Sequence, residues 1–107
     1  MYSNDDGVAE ALLQHGREEQ DPLWRMPLWK AYRKQIDGKV ANLTNAAAGP
    51  YAGSITAALF LAEFVDEIPW VHVDLMAWNT ETKPGRPEGG EAQGMRAVYA
   101  FLEKRFR

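Results

Sequence analysis

The segment SITAALFLAEFVDEIPWVHVDLMAW, residues 54–78, carries the strongest structural signal in the chain. Residues 54–65 are apolar on nearly every side, a pattern typical of a helix buried from several directions, and Ser54 is placed to cap its start. Ile68 before Pro69 favours extended backbone, and residues 70–78 then alternate between two faces as a strand does. The segment predicts a buried helix that leads into an interior strand.

Three further helices are predicted from apolar residues that recur at helical spacing. The first covers residues 5–15, where Asn4 and Asp5 can each cap the start and Gly16 can end the helix. The second begins at Pro27, and the last covers residues 95–106 with basic residues near its C-terminal end. The apolar positions are Val8, Ala11, Leu12 and His15, then Leu28, Tyr32 and Ile36, and finally Met95, Val98, Leu102 and Phe106.

A second strand is predicted over residues 40–44, followed by a loop over residues 45–53. The order strand, helix, strand across residues 40–78 implies a right-handed crossover between parallel strands, with helices on both faces of the sheet. A parallel pair is found almost only inside larger, covered sheets. The predicted fold class is therefore α/β, with about two strands and four helices, and we expect the chain to be part of a larger domain.

The composition excludes several classes of partner. The chain has 107 residues with 12 basic and 15 acidic side chains, and its net charge of -3 provides no basic surface for nucleic acid or an anionic membrane. Its longest apolar run, residues 55–62, is far shorter than the roughly 20 residues that span a bilayer. Cysteine is absent, which excludes disulfides and thiolate metal sites, and we expect a cytoplasmic protein.

The two histidines are candidates for chemistry. His72 and Asp74 lie two residues apart on one face of the predicted strand, a spacing at which both can bind one metal ion. Because no third ligand lies nearby in the sequence, hydrogen bonding of both side chains inside the fold is the favoured interpretation. His15 lies on the apolar side of the first helix, where a structural role is favoured over that of a catalytic base.

The loop that precedes residues 54–65 is a weak candidate for anion binding. Gly49, Gly53 and Ser54 precede a helix N-terminus, whose free backbone N–H groups can receive an anion. The spacing differs from that of a phosphate-binding loop, since three residues separate the glycines and no lysine follows. A turn and a helix cap are the simpler interpretation.

Five segments of the chain together resemble the C-terminal part of the leucyl aminopeptidase family, also called the cytosol aminopeptidase family. They occur in the family's order and at about its spacing, and the likeness covers residues 4–106. The segments are DPLWRMPLWKAYRKQI (21–36), VANLTN (40–45), AGSITAALFLAEFV (52–65), PWVHVDL (69–75) and AW (77–78).

The resemblance implies that residues 1–107 are the C-terminal segment of a catalytic domain built as a three-layer αβα sandwich, without the family's N-terminal domain. Family members remove N-terminal residues from peptides with two divalent metals, commonly zinc, manganese or magnesium, and assemble as hexamers. Their metal ligands are a lysine, aspartates and a glutamate, which precede the matching part. We therefore expect this chain to contain no catalytic residue and no metal site, and to be inactive alone.

The resemblance also implies the partners of this segment. They are the rest of the peptidase domain, a peptide substrate in the intact enzyme, and further copies of the same protein in a homo-oligomer. Nucleic acid and membrane are not expected. The alternative is a stand-alone interaction module that keeps this fold without catalysis and pairs through exposed sheet edges and aromatic side chains.

The stretch NTETKPGR, residues 79–86, imitates the family's metal-binding signature Asn-Thr-Asp-Ala-Glu-Gly-Arg. It follows the predicted strand over residues 70–78, however, and so falls at the other end of the domain. Asn79, Glu81 and Arg86 therefore receive no catalytic role from the resemblance.

Two departures from the family pattern fall where the family shapes the pocket for the substrate's first side chain. Residues 74–78 replace a longer Asp-Ile-Ala-Gly-Thr-Ala-Trp of many relatives, and residues 45–49 replace an Asn-Ile-Gly-Gly loop. Met76 and Ala77 are therefore the candidate substrate-pocket residues.

Overall fold

The computed structural model describes residues 1–47 and 49–107, so one position of the predicted 45–53 loop lies outside the described residues. Within them the chain forms three α-helices and one 3₁₀ helix. The helices are α1 (Asp6–Glu18), the 3₁₀ helix (Lys30–Ile36), α2 (Gly53–Ala62) and α3 (Met95–Phe106).

The described strands are short and form two antiparallel pairs. Strand β1 (Tyr2–Ser3) pairs with β2 (Val71–His72), with Tyr2 opposite His72. Strand β3 (Trp78–Asn79) pairs with β4 (Gly89–Gly90). The two pairs belong to separate sheets, so the predicted strand over residues 70–78 is interrupted in its middle.

The predicted parallel pair is wrong for the described residues. Residues 40–44 do not form a strand, since Leu43 makes only an isolated antiparallel bridge with Asp37. Strand β2 instead pairs with β1, which is only two residues long and therefore has no alternating pattern that would predict a strand. A strand needs a neighbour for its backbone hydrogen bonds, and β1 provides one for two residues only.

The core lies where α1 packs on α3 and on the first sheet. Met1, Ala9 and Leu12 are its buried centre. Ala97 of α3 is buried beside Gly16 of α1, so the two helices lie close together. Because Gly16 has no side chain, the backbone after α1, at Asp21 and Leu23, also fits against it. The partly buried apolar residues around this centre are Val8, Leu13, Leu23, Val71, Val73, Val98 and Phe101.

Of the two predicted caps of α1, Asp5 is the one that the structure shows, and the predicted end of the helix is wrong. The side chain of Asp5 accepts a 2.8 Å hydrogen bond from the backbone N–H of Val8, as an N-cap does. Gly16 lies inside the helix rather than at its end, and glycine suits this position because a Cβ would stand 2.8 Å from the backbone oxygen of Asp21. The helix ends beyond it, where Gln20 adopts a left-handed conformation with φ of 53°.

Helix α2 does not begin as predicted. Its N-cap is Ala52, which has a left-handed conformation with φ of 58° and makes no side-chain cap. Ser54 is the second helical residue, and its hydroxyl forms a 2.6 Å hydrogen bond with the hydroxyl of Tyr2. The Ser54 hydroxyl therefore bonds the distant Tyr2 instead of capping its own helix, and this bond connects the start of α2 to β1.

The second predicted helix is present as a 3₁₀ helix that begins at Lys30 rather than at Pro27. Each end of this helix has a hydrogen bond that spans three residues. Tyr32 N donates to Trp29 O at the start, and Asp37 N donates to Lys34 O at the end. The apolar spacing indicates a helix but does not distinguish these bonds from the four-residue bonds of an α-helix.

The predicted apolar face of α3 is only partly correct. Val98 packs against the core, but Met95, Leu102 and Phe106 are exposed. The face that contacts α1 carries Ala97, Val98 and Phe101 instead. A helix whose second apolar stripe faces solvent has room for a further packing partner on that side.

The chain is thinner than a compact domain of its length. Its radius of gyration is 15.9 Å, against about 13 Å for a compact chain of this size. The principal dimensions are 49 × 35 × 18 Å, and the large apolar side chains left exposed include Trp24, Phe64, Ile68 and Met76. In the described residues, no helix has the length and apolar character needed to cross a membrane.

Candidate substrate cleft

A cleft of about 640 Å³ lies between the chain that follows α1 and the chain that follows β2. Its floor includes core residues, and its rim carries apolar, acidic, basic and amide groups, a combination that suits a polar ligand with an apolar side chain. The residues that matter most for its chemistry are Asp21, Trp24, Asp74, Met76, Arg86 and Gln93.

Of the two predicted pocket residues, Met76 lines this cleft and Ala77 follows it in the chain. Met76 lines it, with 68% of its surface exposed. Ala77 follows with φ of 54°, a left-handed conformation that is uncommon for a residue with a Cβ. Its N–H donates to Gln93 Oε1 at 3.1 Å, and its carbonyl accepts from Glu91 N at 3.0 Å. Their role in substrate binding stays a prediction.

The stretch over residues 79–86 includes the last residue of β3 and most of the link to β4. The side-chain amide of Asn79 donates to the carbonyl oxygens of Arg86 at 2.8 Å and of Pro87 at 3.1 Å. The backbones of Lys83 and Arg86 hydrogen-bond to each other in both directions. These contacts give Asn79 a structural role, since its side chain holds the link in shape. Glu81 is an exposed residue of the same link.

Arg86 extends from this link into the rim of the cleft. Its Nη1 lies 2.8 Å from Glu91 Oε1, and the Glu91 side chain is only 12% exposed. A charge pair with one partner nearly buried holds its geometry better than a fully exposed pair. The pair therefore holds Arg86 in place at the cleft, which Met76 also lines.

His72 and Asp74 do not form a metal site within the described residues. The ring of His72 stacks on that of Tyr2, with centroids 6.0 Å apart and an interplanar angle of 22°. Asp74 is exposed and lines the cleft. Within residues 1–47 and 49–107, no three His, Asp or Glu side chains gather in a group that could hold a metal ion.

The other two sequence candidates have local structural contacts. His15 Nδ1 lies 3.1 Å from Glu18 Oε2 near the end of α1, and its side chain is 12% exposed. Ser54 bonds Tyr2 at the start of α2, so its hydroxyl is already engaged. Neither contact provides a catalytic base or an anion site.

Asp21 is the residue at the cleft that sequence reasoning missed. Its buried carboxylate accepts hydrogen bonds from the backbone N–H groups of Gly94 and Arg96, both at 2.9 Å, and of Ala97 at 3.3 Å. Burial raises the pKa of this carboxyl, but the bonds from Gly94, Ala97 and Arg96 and the Arg96 charge outweigh burial and lower the pKa. An acidic residue that caps a helix more than 70 positions away leaves no local pattern in the sequence.

Comparison with known proteins gives this arrangement a family. The family model described as the cytosol aminopeptidase family, catalytic domain, matches residues 1–99. The chain belongs to the cytosol aminopeptidase family. The predicted resemblance is thus confirmed.

Cytosol aminopeptidases from several bacteria are similar to this chain over nearly its whole length. The probable cytosol aminopeptidase of Ehrlichia ruminantium (strain Gardel) is 43% identical over 107 residues, and that of Caulobacter vibrioides is 44% identical over 105 residues. The alignments cover 97% and 95% of this chain but 21% of either relative. The chain therefore spans about a fifth of the length of the cytosol aminopeptidases that it matches.

A solved cytosol aminopeptidase confirms the fold class. The crystal structure of the enzyme from Coxiella burnetii matches 99% of this chain and 23% of its own, with a TM-score of 0.93 and 50% sequence identity. The fold of this cytosol aminopeptidase segment is therefore α/β, as predicted, and the four helices and short strands of the described residues match 23% of the solved chain.

Proposed function

We propose that this chain is the C-terminal segment of the catalytic domain of a metal-dependent aminopeptidase that removes N-terminal residues from peptides in the cytoplasm. The observation that carries the proposal is the match of 99% of the chain to part of the Coxiella burnetii cytosol aminopeptidase, with a TM-score of 0.93. Identity of 50% over that match supports a shared role for the segment.

Two divalent metals, zinc or manganese, belong to the proposed enzyme but do not fit the residues of this chain. The described residues contain no suitable group of three His, Asp or Glu side chains, and His72 is stacked on Tyr2. We infer that the metal ligands and the catalytic residues lie in the preceding part of the protein. This segment alone is therefore expected to be inactive.

The contribution proposed for this segment is one wall of the substrate pocket. Leu75 and Met76 line the cleft with 42% and 68% of their surfaces exposed, so the cleft offers apolar surface to a substrate side chain. Asp74 and Arg86 supply charged groups on the same rim. An apolar wall with a few polar groups is the usual composition of a small-molecule pocket.

The thin shape of the chain supports the proposed protein partners. A slab only 18 Å thick with large exposed apolar side chains leaves faces that a larger domain or another subunit can cover. We propose that the rest of the peptidase domain covers the cleft side and that the whole protein assembles as a homo-oligomer, such as a hexamer.

The test is a chimera with the Coxiella burnetii cytosol aminopeptidase. The matched 23% of that protein is replaced by this chain, and the chimera, the parent and the 107-residue chain are assayed with leucine p-nitroanilide and manganese. The chimera is expected to hydrolyse the substrate, and the isolated chain is expected to show no turnover above background.

Two outcomes would contradict the proposal. Turnover by the isolated chain would show that it contains catalytic residues. If the chimera sediments like the parent but remains inactive, this chain cannot replace the matched segment of the parent. That result would favour the stand-alone interaction module.

A further inference from the structure

The backbone at Ala77 adopts a conformation that needs support from its surroundings. With φ of 54°, Ala77 is one of four non-glycine residues of the described chain with positive φ, and it directly follows the cleft residue Met76. A left-handed conformation is unfavourable for a residue with a Cβ and persists only where neighbouring groups determine it. The shape of the cleft at Met76 therefore depends on the contacts that hold the backbone of Ala77.

Two residues of one short stretch hold Ala77 from both sides. The side-chain oxygen of Gln93 accepts a 3.1 Å hydrogen bond from Ala77 N, and Glu91 N donates to Ala77 O at 3.0 Å. Gln93 N in turn donates to Glu91 O at 3.0 Å, which closes the stretch on itself. Of these contacts with Ala77, the one from Gln93 is the only one made by a side chain, so it is the one that a substitution can remove.

Gln93 is itself firmly placed. The next residue, Gly94, is buried, and its N–H donates to the buried carboxylate of Asp21 at 2.9 Å. On the other side, the side chain of Glu91 is paired with Arg86. Gln93 also lines the same cleft as Met76. Because Gln93 precedes the fixed Gly94 and its side chain bonds Ala77, the position of Ala77 depends on that of the residues at the start of α3.

We propose that Gln93 is a positioning residue that holds the Met76–Ala77 wall in its left-handed bend and thereby determines which first side chain of a peptide the cleft accepts. The inference rests on the proposed function. Gln93 acts through Ala77 and takes no part in bond breaking. Its loss should change the fit of the substrate side chain, and therefore KM, more than kcat.

The kinetic test uses the active chimera with Gln93→Ala, Gln93→Glu and the control Gln14→Ala, which removes an exposed glutamine of α1. For Gln93→Ala, the ratio of kcat/KM for leucine over alanine p-nitroanilide is expected to change about fivefold, mostly in KM, as loss of one hydrogen bond implies. Gln93→Glu keeps an acceptor oxygen and should stay within about twofold of the unsubstituted chimera, as should Gln14→Ala. Equal losses for both substrates would contradict the proposal.

The structural test needs no activity. In the 107-residue chain, hydrogen-exchange mass spectrometry follows the peptide over residues 75–80. The Ala77 amide should exchange roughly two to ten times faster in Gln93→Ala, while Gln93→Glu and Gln14→Ala leave its exchange rate unchanged.

The two proposals fail in different ways. A folded but inactive unsubstituted chimera contradicts the proposed function and, with it, the selectivity assigned to Gln93. An active chimera whose Gln93→Ala variant keeps both the substrate ratio and the Ala77 exchange rate contradicts the positioning role alone.

Discussion

The carboxylate of Asp21 accepts a 2.9 Å hydrogen bond from the backbone N–H of Gly94, although the two residues are 73 positions apart. The same carboxylate receives the N–H groups of Arg96 and Ala97, so it satisfies three of the four free donors that open a helix. The contact joins the chain after α1 to the start of α3, and Asp21 and Gln93, the residue before Gly94, both line the candidate cleft.

Removal of the Asp21 carboxylate should destabilise the chain markedly. Asp21→Ala leaves the N–H groups of Gly94, Arg96 and Ala97 without their acceptor at a buried position, and we expect a loss of about 2–3 kcal/mol in the free energy of unfolding. Urea unfolding followed by circular dichroism measures this loss. The control Glu10→Ala, on the exposed side of α1, should change it by less than about 0.5 kcal/mol. Equal effects of the two substitutions would contradict the role given to Asp21.

The contribution of Asp21 should depend on pH in one direction. Its pKa is lowered in the folded chain, so the stabilisation is complete above the unfolded pKa of about 3.9 and is lost as the pH falls through the lower folded value. Asp21→Asn keeps the shape without the charge. The difference in unfolding free energy between the unsubstituted chain and Asp21→Asn should be constant near neutral pH and shrink below about pH 4. A difference that grows on acidification would be inconsistent with a lowered pKa.

The two glycines of α1 should respond oppositely to alanine. A Cβ at Gly16 would stand 2.8 Å from the backbone oxygen of Asp21 and 3.6 Å from the Cβ of Ala97, so Gly16→Ala must displace backbone and should cost about 1–3 kcal/mol. A Cβ at Gly7 would meet nothing closer than Asp5 Oδ1 at 3.4 Å. Gly7→Ala should therefore be neutral or stabilise the helix by up to about 1 kcal/mol. The unfolding temperatures of the two variants, measured in parallel, test this prediction. A higher unfolding temperature for Gly16→Ala would contradict the close packing of α1 on Asp21.

Features with local causes were predictable from the sequence, and features with distant causes were not. Asp5 is one of the two predicted caps of α1, and its donor Val8 is only three residues away. The cap proposed for Ser54 failed because its hydroxyl bonds Tyr2, 52 residues away. Asp21 has no local signal for the same reason, since its three donors, Gly94, Arg96 and Ala97, lie at the N-terminus of α3 more than 70 residues away.

The candidate cleft was predictable only in part. Met76 and Ala77 came from the family resemblance, and the structure places Met76 in the cleft with Ala77 next to it. The positive φ of Ala77 and its bond to Gln93 had no signal in the sequence, because alanine is not a residue that marks left-handed backbone. The strand predicted over residues 70–78 is too long for a related reason, since alternation predicts two faces but not whether a neighbouring strand is present.

The uncovered faces of the chain should make it self-associate. Phe64, 66% exposed, packs edge-on against Phe60 at the end of α2 with ring centroids 5.1 Å apart, and Ile68 is 68% exposed. Burial of such side chains between copies removes apolar surface from water. The sedimentation coefficient of the chain should therefore rise with concentration, and Phe64→Ser should weaken the rise. The control Glu10→Ala changes an exposed charge on α1 and should sediment like the unsubstituted chain. A chain that stays monomeric at every accessible concentration would show that these exposed side chains do not drive association.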